Sequence, residues 1–234
     1  MNNYLTINGV SSLNFGVYIT DAGIYNTPQK DIEAISIPGR SGDLLRDNHR
    51  YKNVDVRYPA FIVEDFNQKY TDFISFLLAQ DQYFRLEDTY RPEEYRLAYF
   101  TGGQTPNVYK RDTGAFDLIF HCKPQRFLHS GETVIPLTTN GVILNPTYMS
   151  AKPLVRVYGT GAVTFGEIQI TIQSVNEYVD IDCYSQMAYK GAVNCNGNIV
   201  LNSGKFFELK VGENNIQLGS GISRIEITPR WYRL

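Results

Sequence analysis

The chain has 234 residues, of which 43% are hydrophobic and 20% charged, enough apolar material for a core and too much for disorder. Its net charge of −2 and pI near 5.9 provide no global basic field for nucleic acid or anionic lipid. The longest nearly apolar run, Phe73 to Ala79, is too short to span a bilayer, and the three cysteines are no disulfide scaffold.

Seventeen Tyr, thirteen Phe, many β-branched residues and nineteen Gly lean the composition toward β-structure. Alternation begins at Tyr4, turns at Asn8-Gly9, and resumes as a second strand over Phe15–Ile19. A third short strand over 32–37 is stopped by Pro38-Gly39. Tyr51–Val63 alternates with Val54, Val56 and Tyr58 on one face, and Pro59 marks an edge or bulge. Phe66, Tyr70, Phe73, Ile74, Leu77 and Leu78 then form the apolar stripe of a helix near 65–80, with Asp65 and Gln68 placed as a capping box. That helix should cover one face of a sheet. Strands follow at Tyr83–Leu86, at Tyr95–Phe100, and over Phe116–Cys122 up to Pro124.

From Gly131 to Pro153 the chain is punctuated by Gly, Pro and Asn, which predicts a domain boundary and hence parts at 1–130 and 131–234. Beyond it every segment reads as a strand: 154–158, 163–165, 168–172, 178–183, 199–201, 206–209, 216–218 and 222–227. Short intervals between turns point to a sandwich or jelly roll. The fold class is mainly β with one helix.

The chemistry-bearing residues form few recognisable sites. Gly159-Thr160-Gly161 lacks the third glycine and the helix of a dinucleotide fingerprint, so it reads as a hairpin turn. Gly39-Arg40-Ser41-Gly42 is not a nucleophile elbow. His49, His121 and His129 are the only histidines a triad could use, and the spacing of His121, Cys122 and His129 fits no zinc pattern. Asp180 and Asp182 share one strand face, where glycosidase-like chemistry is conceivable and a solvated face is the commoner reading. Trp231 and Tyr232 are candidates for stacking on a sugar, or for core and interface. Residues 40–57 are locally basic, as a phosphate contact, a solvated loop or a subunit interface would be. An odd cysteine count implies reduced thiols, although Cys183 and Cys195 could pair across adjacent strands. No Lys or Arg precedes Lys30, so the opening lacks the charged start of a secretory signal, and synthesis in a bacterial cytoplasm is expected. No cofactor, metal or catalytic residue is assigned.

A family resemblance adds to this. Leu5-Thr6-Ile7-Asn8-Gly9-Val10-Ser11-Ser12 followed by Phe15-Gly16-Val17-Tyr18 resembles the opening of the distal tail proteins of siphophages, mostly those of Gram-positive hosts. Ile37 to Leu45, running on to Tyr51-Lys52-Asn53-Val54, is similar to that family's central motif, with Ser41 where Asn is usual. Val179–Cys183 resembles its acidic strand. Phe206–Ile216 resembles another stretch, with Phe207 and Val211 in place of two prolines, and Thr228–Trp231 its final strand. The resemblance implies a structural virion protein at the tail tip that forms a hexameric ring. The N-terminal β-sandwich-like domain would build the ring, and the C-terminal half would be a galectin-like β-sandwich without an inserted carbohydrate-binding module. Implied partners are other copies of itself, the tail tube protein, a tail-associated lysin or tail fibre hub protein, and in some phages receptor-binding proteins. The tape measure and DNA would pass through the lumen without sequence-specific binding, and no membrane is involved. Gly39, Arg40, Ser41, Gly42 and Asp43 are the candidate subunit interface, because a fork-shaped Arg donor on a sharp turn suits a neighbour's carboxylate or carbonyl; the equal alternative is an intrachain turn braced by its own Arg40–Asp43 pair. The competing reading is a carbohydrate-binding sandwich acting in adsorption to the host surface.

Overall fold

A computed structural model describes residues 3–23, 26–109 and 112–234. The chain is mainly β, with antiparallel sheets and one α-helix. It divides into two compact units, 1–126 with Leu234, and 127–233.

In the first unit β1 (Leu5–Ile7) and β2 (Val10–Ser11) form a hairpin whose turn, Asn8-Gly9, takes positive φ at both residues, as a two-residue hairpin loop requires. Phe15 does not open a strand. Ser12–Phe15 is a 3-10 turn closed by Gly16, and β3 is only Tyr18–Ile19. The reason lies in Ser12, which is buried and accepts from the Leu5 N–H (3.1 Å) while donating to the Val17 carbonyl (2.8 Å), folding the chain back on β1. Next come β4 (Lys30–Ile35), β5 (Leu44–Tyr51) and β6 (Val54–Ile62). Strand β6 alternates strictly, burying Val54, Val56, Tyr58, Ala60 and Ile62. Pro59 makes no bulge, since its register with the neighbouring strand is unbroken, and takes a local edge position instead. It sits just beyond the end of β3, where its carbonyl accepts from Thr20 and no N–H is needed.

Helix α1 (Phe66–Leu78) buries Phe66, Phe73 and Leu77, each removal from water contributing about 2 kcal/mol. Phe66 and Tyr70 meet Phe116 edge-on, at 6.1 and 4.9 Å between ring centroids, so the helix covers the sheet's inner face as its periodicity implied. The capping box does not form. Asp65 is left-handed with no side-chain cap bond, and Gln68 turns to Asp72 one turn later. Strands β7 (Phe84–Asp88), β8 (Glu94–Tyr99), β9 (Asn107–Tyr109) and β10 (Thr113–Leu128) complete the unit. The sheet order is β2-β1-β7-β8-β10-β6-β3, with β9 added alongside β10. Strand β10 continues past Pro124, four residues further than its alternation suggested.

The second unit packs two antiparallel sheets around one core. Its strands are β11 (Ile135–Leu137), β12 (Gly141–Asn145), β13 (Leu154–Gly159), β14 (Gly161–Phe165), β15 (Ile168–Ile172), β16 (Tyr178–Asp182), β17 (Met187–Lys190), β18 (Val193–Asn194), β19 (Ile199–Leu201), β20 (Gly212–Leu218), β21 (Ile222–Thr228) and β22 (Tyr232–Arg233). One sheet runs β11-β21-β13-β16-β17-β18, the other β12-β20-β14-β15-β19. Val155, Val157, Val179, Ile181, Ile225 and Ile227 of the first face Val163, Phe165, Ile170 and Ile216 of the second. Residues 206–209 are not a strand; they drop Phe207 into this core, stacked on Phe165 at 4.2 Å, and their one ladder contact is an Ala151–Leu209 bridge.

Candidate functional site

Strands β4 and β5 stand apart from every other sheet. Among the described residues they pair only with each other, and nearly every side chain from Lys30 to Arg50 is exposed or half-exposed. A two-stranded hairpin of this kind is marginal in water without a surface to cover it. The loop between them, 36–43, carries all five residues of the candidate interface. Its first bend is a type II turn: Pro38 presets the second position, Gly39 takes φ 81° at the third, and the Arg40 N–H donates back to the Ile37 carbonyl (3.2 Å). Gly42, at φ 84°, makes the second reversal and delivers Asp43 to the start of β5. Arg40, Ser41 and Asp43 are exposed, and the side chains of Arg40 and Asp43 form no ion pair with each other or with any described residue. The turn is therefore shaped by its backbone and not braced by its charges.

The local basic excess at 40–57 is neutralised by partners that spacing does not reveal. Arg50 reaches Asp31 (2.6 Å), Arg46 reaches Glu33 (3.8 Å), and Arg57 reaches Asp117 (2.5 Å). A phosphate contact would have to break them.

The other candidates disperse. Strand pairing sets His121 opposite Asp55, with Nδ1 2.6 Å from the carboxylate and Nε2 3.1 Å from the Thr101 hydroxyl, beside an open groove of about 440 Å³. This has the order of a triad, but Asp55 is 61% exposed, whereas a triad carboxylate works buried. His121 and Cys122 fall on opposite faces of β10, and no group of three His, Cys, Asp or Glu among the described residues could hold a metal. All three cysteines are free, so Cys183 and Cys195 do not pair. Burial pushes the Cys122 and Cys183 thiols up to about 12, which keeps them protonated and unreactive.

Asp180 and Asp182 do share a face of β16, but neither is a solvated carboxylate. Asp180 is buried and held by Arg156 through Nε (2.7 Å) and Nη2 (2.9 Å). Asp182 accepts from Arg230 at 2.7 and 3.1 Å. Burial alone would raise the Asp182 pKa, yet the Arg230 hydrogen bond, the Ser185 and Tyr184 N–H groups and the Arg230 charge together hold it below the usual carboxylate range. Each carboxylate is tied through two hydrogen bonds to its own arginine, so neither stands free beside the other as a glycosidase pair would.

No protein-family model matches the sequence, and no curated protein does. A solved structure does match: the Dit protein of phage SPP1, described as a paradigm of the hub adsorption apparatus in phages infecting Gram-positive hosts. The match covers 100% of both chains at a TM-score of 0.76 and 10% sequence identity. The chain has the SPP1 Dit fold. At that identity the likeness to SPP1 Dit is one of architecture, extending through both units.

Trp231 is 4% exposed and belongs to the core of the second unit, so its indole face is closed to a sugar ring. Tyr232 is half-buried in β22 with its ring near Phe127. Of the two readings of Trp231, stacking on a sugar or packing in the core, the structure shows the core. Sequence reasoning located the loop at 39–43 but missed that the strands flanking it, β4 and β5, form one projecting arm. The signal was present in the aliphatics Ile32, Ile35, Leu44 and Leu45, which lack any polar-out alternation.

Proposed function

We propose that this chain is a structural component of a phage tail tip, assembling as a hexameric ring that joins the tail tube to the hub and leaves a lumen for the tape measure and DNA. The observation that carries the reading is the full-length likeness to SPP1 Dit, which spans both units. The exposed β4–β5 arm supports it, because a subunit of a closed ring must lend surface to its neighbour. On this reading the first unit builds the ring through Gly39, Arg40, Ser41, Gly42 and Asp43, and the second is a galectin-like sandwich carried by it. Tail tube protein and a tail-associated lysin or fibre hub are its partners in the virion, joined in some phages by receptor-binding proteins. The rival reading, a carbohydrate-binding module, loses its aromatic platform to the burial of Trp231. Gold-labelled antibody against the chain tests the proposal on virions that carry it. Label confined to the distal end of the tail supports it; label on the capsid or along the tube overturns it.

A further inference from the structure

The two sheets of the second unit end in four edge strands, and three of the four are guarded. Strand β18 has two residues, β19 has three, and β11 has three with Pro136 at its centre. Short length and proline both keep an edge from recruiting another chain. Strand β12 has neither guard. It is five residues long, its register with β20 is unbroken, and residues 141–145 contain no charge and no proline.

The pairing of β20 decides which groups of β12 are free. The Gly166 N–H donates to the Asn215 carbonyl and the Gly219 N–H to the Ala162 carbonyl, so Asn215 and Gly219 turn their backbone toward β14. Peptide groups alternate in direction along an antiparallel strand, so Asn214 and Ile216 turn theirs toward β12, opposite Ile143 and Gly141. The Leu218 N–H points the same way, donating to Asn140 Oδ1 at 2.8 Å. The N–H and C=O groups of Val142 and Leu144 therefore face away from β20, and they have no partner among the described residues. The Val142 and Leu144 side chains are 57% and 63% exposed, and Tyr148 just past the strand is 93% exposed. Beside them lies an open groove of about 450 Å³, lined by Asn140, Asn215 and Gln217 and by no charged residue.

We infer that β12 is an acceptor edge for an extended, uncharged segment of another tail protein, which adds a sixth strand to this five-stranded sheet. Unpaired N–H and C=O groups at strand spacing recognise another strand, and the flanking side chains select which one. Apolar side chains of the guest pack on Val142 and Leu144, and its hydroxyl or amide side chains enter the groove. A second copy of this chain does not fit. Pairing β12 with β12 needs a two-fold axis through the contact, which neighbouring subunits of a ring facing one way do not share. The longer edges that a copy could offer, β4 and β5, carry Lys30, Asp31, Glu33, Arg46, Asp47 and Arg50. This choice of occupant rests on the tail-ring reading, whereas the free edge does not.

Hydrogen exchange, compared between the isolated chain and tails purified from virions, tests the inference. The Val142 and Leu144 amides exchange freely in the isolated chain and should slow by about tenfold or more in the tail. Val142→Pro deletes an outward N–H that nothing else in the chain uses, and Leu144→Lys puts a charge on an exposed side chain. Both variants should melt with the wild type as isolated chains and lose the added protection in tails. Photo-reactive benzoylphenylalanine in place of Leu144 identifies the occupant, and a cross-link to a different tail protein is expected. Unchanged exchange in tails that contain the chain would overturn this inference and leave the tail reading standing, as would a cross-link to a second copy. Tails that lack the chain would overturn the tail reading, and the assigned occupant with it.

Discussion

Replacing Asp180 by Asn removes one charge from the second unit and leaves its volume unchanged. Asp180 is buried and takes both prongs of the Arg156 guanidinium, which also lies over the Tyr178 ring with its central carbon 4.1 Å from the centroid. An asparagine oxygen can still accept one prong, but its NH₂ then faces the other, donor against donor. Breaking a fully buried pair costs about 3–5 kcal/mol. The Arg156 side chain is 39% exposed and can recover part of its hydration, so about 2 kcal/mol is the appropriate figure here. In a unit of this size that lowers the midpoint by roughly 10 °C. Scanning calorimetry of the full chain reads it directly as a shift in the second unit's transition. Removing both charges in Arg156→Met/Asp180→Leu should recover most of the loss, because the cost lies in the orphaned partner. A shift below about 2 °C for Asp180→Asn would show that water, not Asp180, satisfies Arg156, and that the burial argument is wrong.

Ser12→Ala should cost about 2 kcal/mol, since it orphans the Leu5 N–H and the Val17 carbonyl together; a shifted urea midpoint with an unchanged slope is the expected record. Asp182 has a folded-state pKa held below its unfolded value, so its contribution is complete above the ordinary carboxylate range and is lost as pH falls from there through the depressed value. Thermal melts from neutral to acid pH should show that loss, and Asp182→Asn should flatten it. Arg40→Ala should weaken ring formation and leave the melting of the unassembled chain unchanged, because the Arg40 side chain has no partner among the described residues. A lowered melting point with an intact ring would place the loop in the fold and not in the assembly.

Where burial follows a regular period, the fold could be read from the residues. The helix at 66–78 and the alternation of β6 and β10 are such cases, since one face of each meets the core. Strand β5 could not be read that way. It buries neither face inside its own chain, so nothing in Leu44–Tyr51 alternates, and its charges suggested a basic loop. The carboxylates of β16 failed for another reason. Their partners stand 24 and 48 residues away, and only the pairing of β13 with β16 and the turn after β21 bring Arg156 and Arg230 to them. Asp65 failed locally, because the chain enters the helix through a left-handed residue whose carboxylate makes no cap bond to the first turn. The loop at 39–43 was legible because glycine placement is backbone chemistry and needs no tertiary partner.

The most direct test of the central claim is the mass of the assembly formed by the purified chain, measured by light scattering alone and then with its tail tube and hub partners. The account predicts a closed particle of six 26.6-kDa copies, alone or on addition of those partners. A chain that stays monomeric in both settings would contradict it.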